Sequence, residues 1–307
     1  MFRNLLLLLT LMTPVATYGS VLRIALVVDT ADSQSFSSVS LAKKGLIDAE
    51  KEFNIFAQVV EIQDSINYID RVKDLASKGF HLVIGVGSRA TDTICYLAPQ
   101  FQKIKFTLVD SYCSLLTNIN TISFDSMSIA DAITQFVQVH QISPKVKIAW
   151  VEEQSSPNLN FIRGQVLRSL SVGREQAEIE VLPVDNDQLL PLISQVSASS
   201  YDGVVVIAGS AIQKRWLRHW PKGKNPLLLS GPGSTAAGMR LVKRFDTVVY
   251  QTIKSLNDGH KTPQKVTYSF ADGGLELLYS RQLDADNAYR KVFDIVTRPN
   301  VKAPAVN

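Results

Sequence analysis

The chain has 307 residues and a formal net charge of +4, with 32 Lys and Arg against 28 Asp and Glu. That length leaves room for two lobes of ordinary domain size and a large buried core. The mixed charge excludes a nucleic-acid footprint spread over the whole surface, and the spacing of the two cysteines, Cys95 and Cys113, does not resemble a zinc site.

Residues 1–20, MFRNLLLLLTLMTPVATYGS, read as a secretory signal peptide: Arg3, an apolar run from Leu5 to Met12, Pro14, then small residues. The apolar run is too short for a stable membrane anchor. No cysteine stands near the cleavage point to take a lipid, so the expected mature protein begins near residue 20 or 21, unlipidated, and is periplasmic or secreted. No second apolar run reaches membrane length.

From residue 21 onward, short runs rich in Val and Ile alternate with segments of helical spacing. VLRIALVV precedes SLAKKGLIDAEKEF, AQVVEI precedes INYIDRVKDLASKG, and HLVIGVG precedes RATDTICYLAPQ. Near-continuous apolar strands between helices predict a parallel sheet covered on both faces, and IKFTLVDS and NTISF extend it. After the helix SIADAITQFVQVHQI the pattern restarts at KVKIAWVEE and runs through NLNFIRGQVLRSL, AEIEVLPV, QLLPLISQVSA, YDGVVVIAG and PLLLSG. The tail adds the helix KRFDTVVYQTIKSLNDG, two short strands (KVTYSF and GLELLY) and a last helix around NAYRKVFDIV.

The expected fold class is therefore α/β, with two Rossmann-like lobes, parallel central sheets and a ligand cleft between them. The expected boundaries are the signal peptide 1–20, an N-terminal lobe 21–125 with part of 243–307, a C-terminal lobe 126–242, and a crossing and closing segment 243–307. No Pro, Gly or Ser linker separates the lobes, so short crossings are expected.

In open parallel sheets, ligands bind beyond the carboxyl ends of the strands. This singles out Asp29, the stretch Gly85 to Arg89 with Ser88, Asp110, Glu152 and Glu153, and Gly209 with Ser210. Asp29 and Asp110 carry two readings, ligand carboxylates or helix caps and turn formers. Phe161 is either a core residue of an amphipathic helix or a ring offered to a ligand. Lys243 opens a helix-like run beside Arg244 and is either solvated or a ligand contact.

Cys95 and Cys113 are either bonded, as an oxidising compartment permits, or two separate buried thiols. In IQKRWLRHWPKGK, residues 212–224, Trp216 and Trp220 stand one helical turn apart among Lys214, Arg215, Arg218, Lys222 and Lys224. Indole faces beside cations suit a partner surface, whereas the plainer reading packs both Trp on a sheet with the basic face solvated. For catalysis the chain offers His81, His140, His219 and His260 without a His-Glu-x-x-His, a G-x-S-x-G elbow or a phosphate loop. A non-enzyme with no cofactor is expected.

These pieces, taken in order, resemble the basic membrane protein (PnrA-like) family, the purine-nucleoside-binding receptors of bacterial ABC importers, a branch of the type I periplasmic-binding-protein fold. The resemblance runs from RIALVVD through GFHLVIGVGSRATD, IKFTLVDS, NINTISF, the spacing of Pro157, Phe161 and Gly164, YDGVVVIAG, and LVKRFDTVVYQTIKSLNDG to VTYSFADGGLELL. It implies a nucleoside stacked between rings, with carboxylates gripping ribose hydroxyls. Residue by residue, it implies ligand contact at Asp29, Phe36, Ser88, Asp110, Phe161, Gly209 and Lys243.

Two departures stand out. The family's SFN after the first strand falls on Ser37, Ser38 and Val39 here, with Phe36 two positions early, and the base-reading Asn is missing. The family's Asp after the PLLLS strand is replaced by SGPGST, which leaves Ser230, Ser234 and Thr235 as hydroxyl partners. A buried polar ligand group without its partner costs about 1 to 3 kcal/mol. The expected function is an exported solute-binding protein of an ABC-type importer that takes a nucleoside or related polar solute, with weak discrimination among bases. Its expected partners are that ligand and an inner-membrane permease, not nucleic acid, and the protein is expected to be monomeric. The competing reading is a receptor fold that has lost nucleoside binding and serves as a sensor or protein-interaction module.

Overall fold

The structure is a computed structural model. It describes residues 21–30, 35–62, 68–113, 117–139, 144–153, 156–221, 227–229 and 239–279. The signal segment and the last helix expected from the sequence lie outside these residues, as do Ser230, Ser234 and Thr235.

The first half alternates as the apolar runs predict: β1 (Leu22–Asp29), α1 (Ser35–Glu52), β2 (Ile55–Ile62), α2 (Tyr68–Ser77), β3 (Leu82–Val86), α3 (Ser88–Leu97), β4 (Lys105–Val109) and β5 (Ile119–Phe124). The second half repeats the pattern with α4 (Ser126–Val139), β6 (Lys145–Glu152), α5 (Pro157–Ser171), β7 (Gln176–Pro183), α6 (Leu189–Ala198), β8 (Gly203–Ile207), α7 (Ser210–His219) and β9 (Leu227–Leu229). The chain then runs through β10 (Met239–Lys243), α8 (Phe245–Asn257), β11 (Lys265–Tyr268) and β12 (Leu275–Tyr279).

Two six-stranded sheets result, ordered β11-β5-β4-β3-β1-β2 and β12-β10-β9-β8-β6-β7. All pairings are parallel except β10 with β12, which is antiparallel. The expected parallel central sheets are present, and the antiparallel pairing is at an edge, where β12 arrives from the opposite end after crossing from the other lobe. Central strands such as β3 and β8 are buried along their whole length, because helices cover both faces. Each Val, Leu or Ile so placed contributes roughly 1.5–3 kcal/mol relative to exposure.

One apolar cluster is continuous between the lobes, running from Ile24 and Leu26 in β1 to Trp150 in β6 and Leu241 in β10. Helices α1 and α8 touch through Gly45: a Cβ there would lie 2.3 Å from the Asp246 carbonyl oxygen. Only glycine allows the two backbones that approach.

The chain passes between lobes three times, after β5, after β10 and after β11. The crossings are knitted together: Asp125 N donates to Tyr268 O at 2.8 Å and Arg244 N to Gly274 O at 2.8 Å. The rings of Phe124 and Phe245, on the first two crossings, lie 5.1 Å apart. Arg244 donates to both oxygens of Asp246 on α8 and to Glu276 on β12, tying elements of both lobes.

The basic stretch of α7 follows the plainer reading. Trp216 and Trp220 are buried and stacked 5.3 Å apart, packed among residues of the second sheet and its helices. Lys214, Arg218 and His219 remain exposed. Among the described residues no helix is long and apolar enough to cross a membrane.

Candidate functional site

Between the lobes lies a cleft of about 910 Å³, lined by the carboxyl ends of strands and the starts of helices from both. That volume suits one small molecule. The first lobe contributes Ser88 at the start of α3, Asp110 to Tyr112 after β4, and one face of β5 and β11. The second contributes Ser126 and Met127 of α4, Ser156, Asn158 and Phe161 around α5, Ala208, and Lys243 at the end of β10.

Asp110 and Lys243 meet across the cleft. Lys243 Nζ donates to Asp110 Oδ2 at 2.7 Å, and the same ammonium lies 5.5 Å from the Phe124 ring centroid. The two side chains are 27% and 24% exposed, so the pair is only partly screened by water. Asp110 has φ 57°, a left-handed backbone that Asp tolerates better than most side chains. Lys243 ends a strand, which corrects the expectation that it opens a helix. The helix begins at Phe245, after the crossing.

Phe161 is 46% exposed and lines the cleft, and Ser88 is exposed at its rim. Phe36 lies in the first turn of α1, but its side chain is outside the described residues.

Asp29 and Gly209 sit behind the lining. The Asp29 side chain is buried and accepts from Arg89 N at 3.3 Å, capping α3 from the neighbouring strand. Gly87, with φ 98°, lets this happen, because a Cβ there would stand 2.6 Å from Asp29 Cβ. Gly209 precedes α7, and its N–H donates to Glu153 Oε2 at 2.7 Å. Glu152 is likewise structural: it accepts from Trp150 Nε1 at 2.9 Å and faces Arg163. Cys95 and Cys113 are disulfide-bonded, with Cα atoms 6.0 Å apart, so the loop after β4 is tied to α3. The reading as two separate thiols is corrected.

Sequence reasoning missed the ledge formed by β5 and β11. Thr121 pairs in register with Lys265, and Ser123 with Thr267, and all four line the cleft. The Ser123 and Thr267 hydroxyls lie 3.1 Å apart. Asp125 also lines the cleft, but its carboxylate accepts from Met127 N, Ser128 N and Ser128 Oγ as the cap of α4. The signal for the ledge lies in the rule that ligands gather beyond strand ends, which holds for β5 and the edge strand β11 as for the others.

Residues 22–130 match the PnrA-like ABC transporter substrate-binding proteins. The resemblance to the PnrA-like family is borne out over this stretch, which spans the first five strands and the start of α4. Comparison with curated proteins gives no match.

Solved structures extend the likeness over both lobes. A transcriptional activator of the comK gene from Bacillus halodurans superposes with a TM-score of 0.70 at 16% identity, covering 90% of this chain and 96% of that one. An ABC transporter solute-binding protein from Aeropyrum pernix gives 0.64 at 15%, with 90% and 85% covered. A carbohydrate transporter solute-binding protein from Agrobacterium radiobacter, solved with D-arabinose, gives 0.59 at 13%, with 90% and 99% covered. At these identities the likeness carries the fold, which is that of the type I periplasmic binding proteins.

Proposed function

We propose that the protein is an exported, non-catalytic receptor of an ABC-type importer that captures a small polar solute, a nucleoside or related molecule, between its lobes and delivers it to a membrane permease. The observation that carries this reading is the cleft at the three crossings, lined from both lobes by hydroxyls, an ion pair and the half-exposed ring of Phe161. A ring able to cover a flat or sugar face, beside groups able to bind hydroxyls, is how such solutes are held. The match of residues 22–130 to substrate-binding proteins supports the same reading. So does the N-terminal segment, read as an export signal cleaved near residue 20 without lipidation.

The ligand contacts proposed are Ser88, Asp110, Phe161 and Lys243 in the cleft lining, together with Phe36 of α1. Asp29 and Gly209 act from behind, by fixing the starts of α3 and α7. The rival reading as an interaction module leaned on an aromatic and basic surface, and the burial of Trp216 and Trp220 removes its aromatic half.

A thermal-shift screen of nucleosides, bases, sugars and small peptides on the mature protein tests the proposal. A ligand at a hundred times its dissociation constant should stabilise the fold by about 2.7 kcal/mol. If no compound of any class shifts the transition, the protein is not a solute receptor.

A further inference from the structure

Among the described residues the cleft lining carries two carboxylates, Asp110 and Asp125, and two ammoniums, Lys243 and Lys265, and one ion pair is made between them. Both carboxylates that line it are engaged: Asp110 by Lys243, and Asp125 by the two N–H groups and one hydroxyl that it caps. Lys265 is different. Its ammonium lies 5.4 Å from the centroid of the Tyr112 ring, and among the described residues it has no carboxylate partner. Tyr112 is 61% exposed at the cleft and sits next to Cys113, whose bond to Cys95 ties this loop to α3.

The backbone register places Lys265 beside Thr121, and Thr267 beside Ser123, on one face of the sheet. The ledge therefore presents the Ser123 and Thr267 hydroxyls and one ammonium, with no acceptor-only side chain, while Thr121 is buried and its hydroxyl donates to Gln264 O. Hydroxyls adapt as donors or acceptors, whereas an ammonium only donates and is best matched by a negative oxygen. The ring face that holds it adds attraction without neutralising its charge.

We infer that this ledge, Lys265 with Ser123, Thr267 and Tyr112, is a subsite for an anionic substituent, a carboxylate or a phosphate, carried by the polar solute. The inference rests on the receptor reading above and narrows its substrate class. The ring of Phe161 and the Asp110–Lys243 pair would hold the uncharged part of the solute, and the ledge its charged end.

Matched pairs of probes test it by calorimetry on the mature protein: adenosine against adenosine 5′-monophosphate for the phosphate, and D-galactose against D-galacturonate for the carboxylate. The anionic member of at least one pair should bind at least about tenfold tighter than the neutral one. Lys265→Met should abolish that advantage while leaving the neutral member's affinity unchanged, and Lys265→Arg should retain most of it. Because Lys265 is exposed on an edge strand, both variants should keep the wild-type circular dichroism. Equal or tighter binding of the neutral members, or an anion preference untouched by Lys265→Met, overturns the subsite and leaves the receptor reading standing. Binding of no probe, together with a blank thermal-shift screen, overturns both.

Discussion

The Asp110–Lys243 pair joins the two lobes directly across the cleft. At 2.7 Å and an effective dielectric of about 20, the bare attraction is about 6 kcal/mol. Desolvation and the freezing of a long lysine side chain cancel most of it. Since each side chain is about three-quarters covered, the net coupling should sit near the top of the range for exposed pairs, about 1 kcal/mol. Asp110→Asn is the right partner substitution, because alanine at φ 57° would add backbone strain of roughly 1–2 kcal/mol and confuse the result. A double-mutant cycle of Asp110→Asn and Lys243→Met, read by urea unfolding, isolates the pair from the other effects of each change. The coupling should shrink at about 1 M salt, where the Debye length is about 3 Å. A coupling below about 0.3 kcal/mol at low salt would refute the reasoning and reduce the pair to a surface contact.

Gly45→Ala should cost about 1–3 kcal/mol in the same assay, because α1 and α8 must part to admit a Cβ that otherwise meets the Asp246 backbone; a loss under about 0.5 kcal/mol would mean that the helices slide apart freely. Phe161→Ala should lower stability by less than about 1 kcal/mol, since the ring is already half exposed, yet weaken any solute found in the screen by at least about tenfold; unchanged affinity would remove the ring from the site. Asp246 gives a pH prediction: burial disfavours its charge, but the Arg244 guanidinium outweighs this and holds the carboxyl below its usual range. A depressed folded-state pKa contributes stability that is present above the ordinary carboxylate value and lost as pH falls through the lowered one. The wild type should therefore weaken below about pH 4, and Asp246→Asn should show a shallower acid slope. Equal slopes would count against the Arg244 clamp.

The strands were legible because each is a short apolar run bounded by turn residues, and β1, β3, β6 and β8 fall where Val and Ile concentrate. β10 was not: MRLVK runs straight into the α8 sequence, and the apolar-then-basic order reads as helix until the crossing is seen. At the site, strand ends pointed to Ser88 and Asp110, and the family pattern added Phe161 and Lys243. Asp29 shows the limit of that reasoning. A carboxylate at a strand end can face the cleft or turn to the next helix, and the choice was made by Gly87, whose missing Cβ opens the space beside it. The ledge was hidden for a different reason, since Thr121 and Lys265 become neighbours only through a pairing of residues more than a hundred positions apart.

That last pairing also bears on when the protein can fold at all. β11 completes the edge of the first sheet beside β5, and β12 completes the second beside β10, yet both are made after every other described strand. During synthesis neither lobe can finish: β5 waits for a partner that appears only after every strand of the second sheet but β12 has been translated. Contacts of such long sequence separation form slowly, because the loop must close before the pairing repays it. A nascent chain of this topology stays incomplete until its last two described strands emerge, so folding of both sheets waits on the C-terminal part of the sequence.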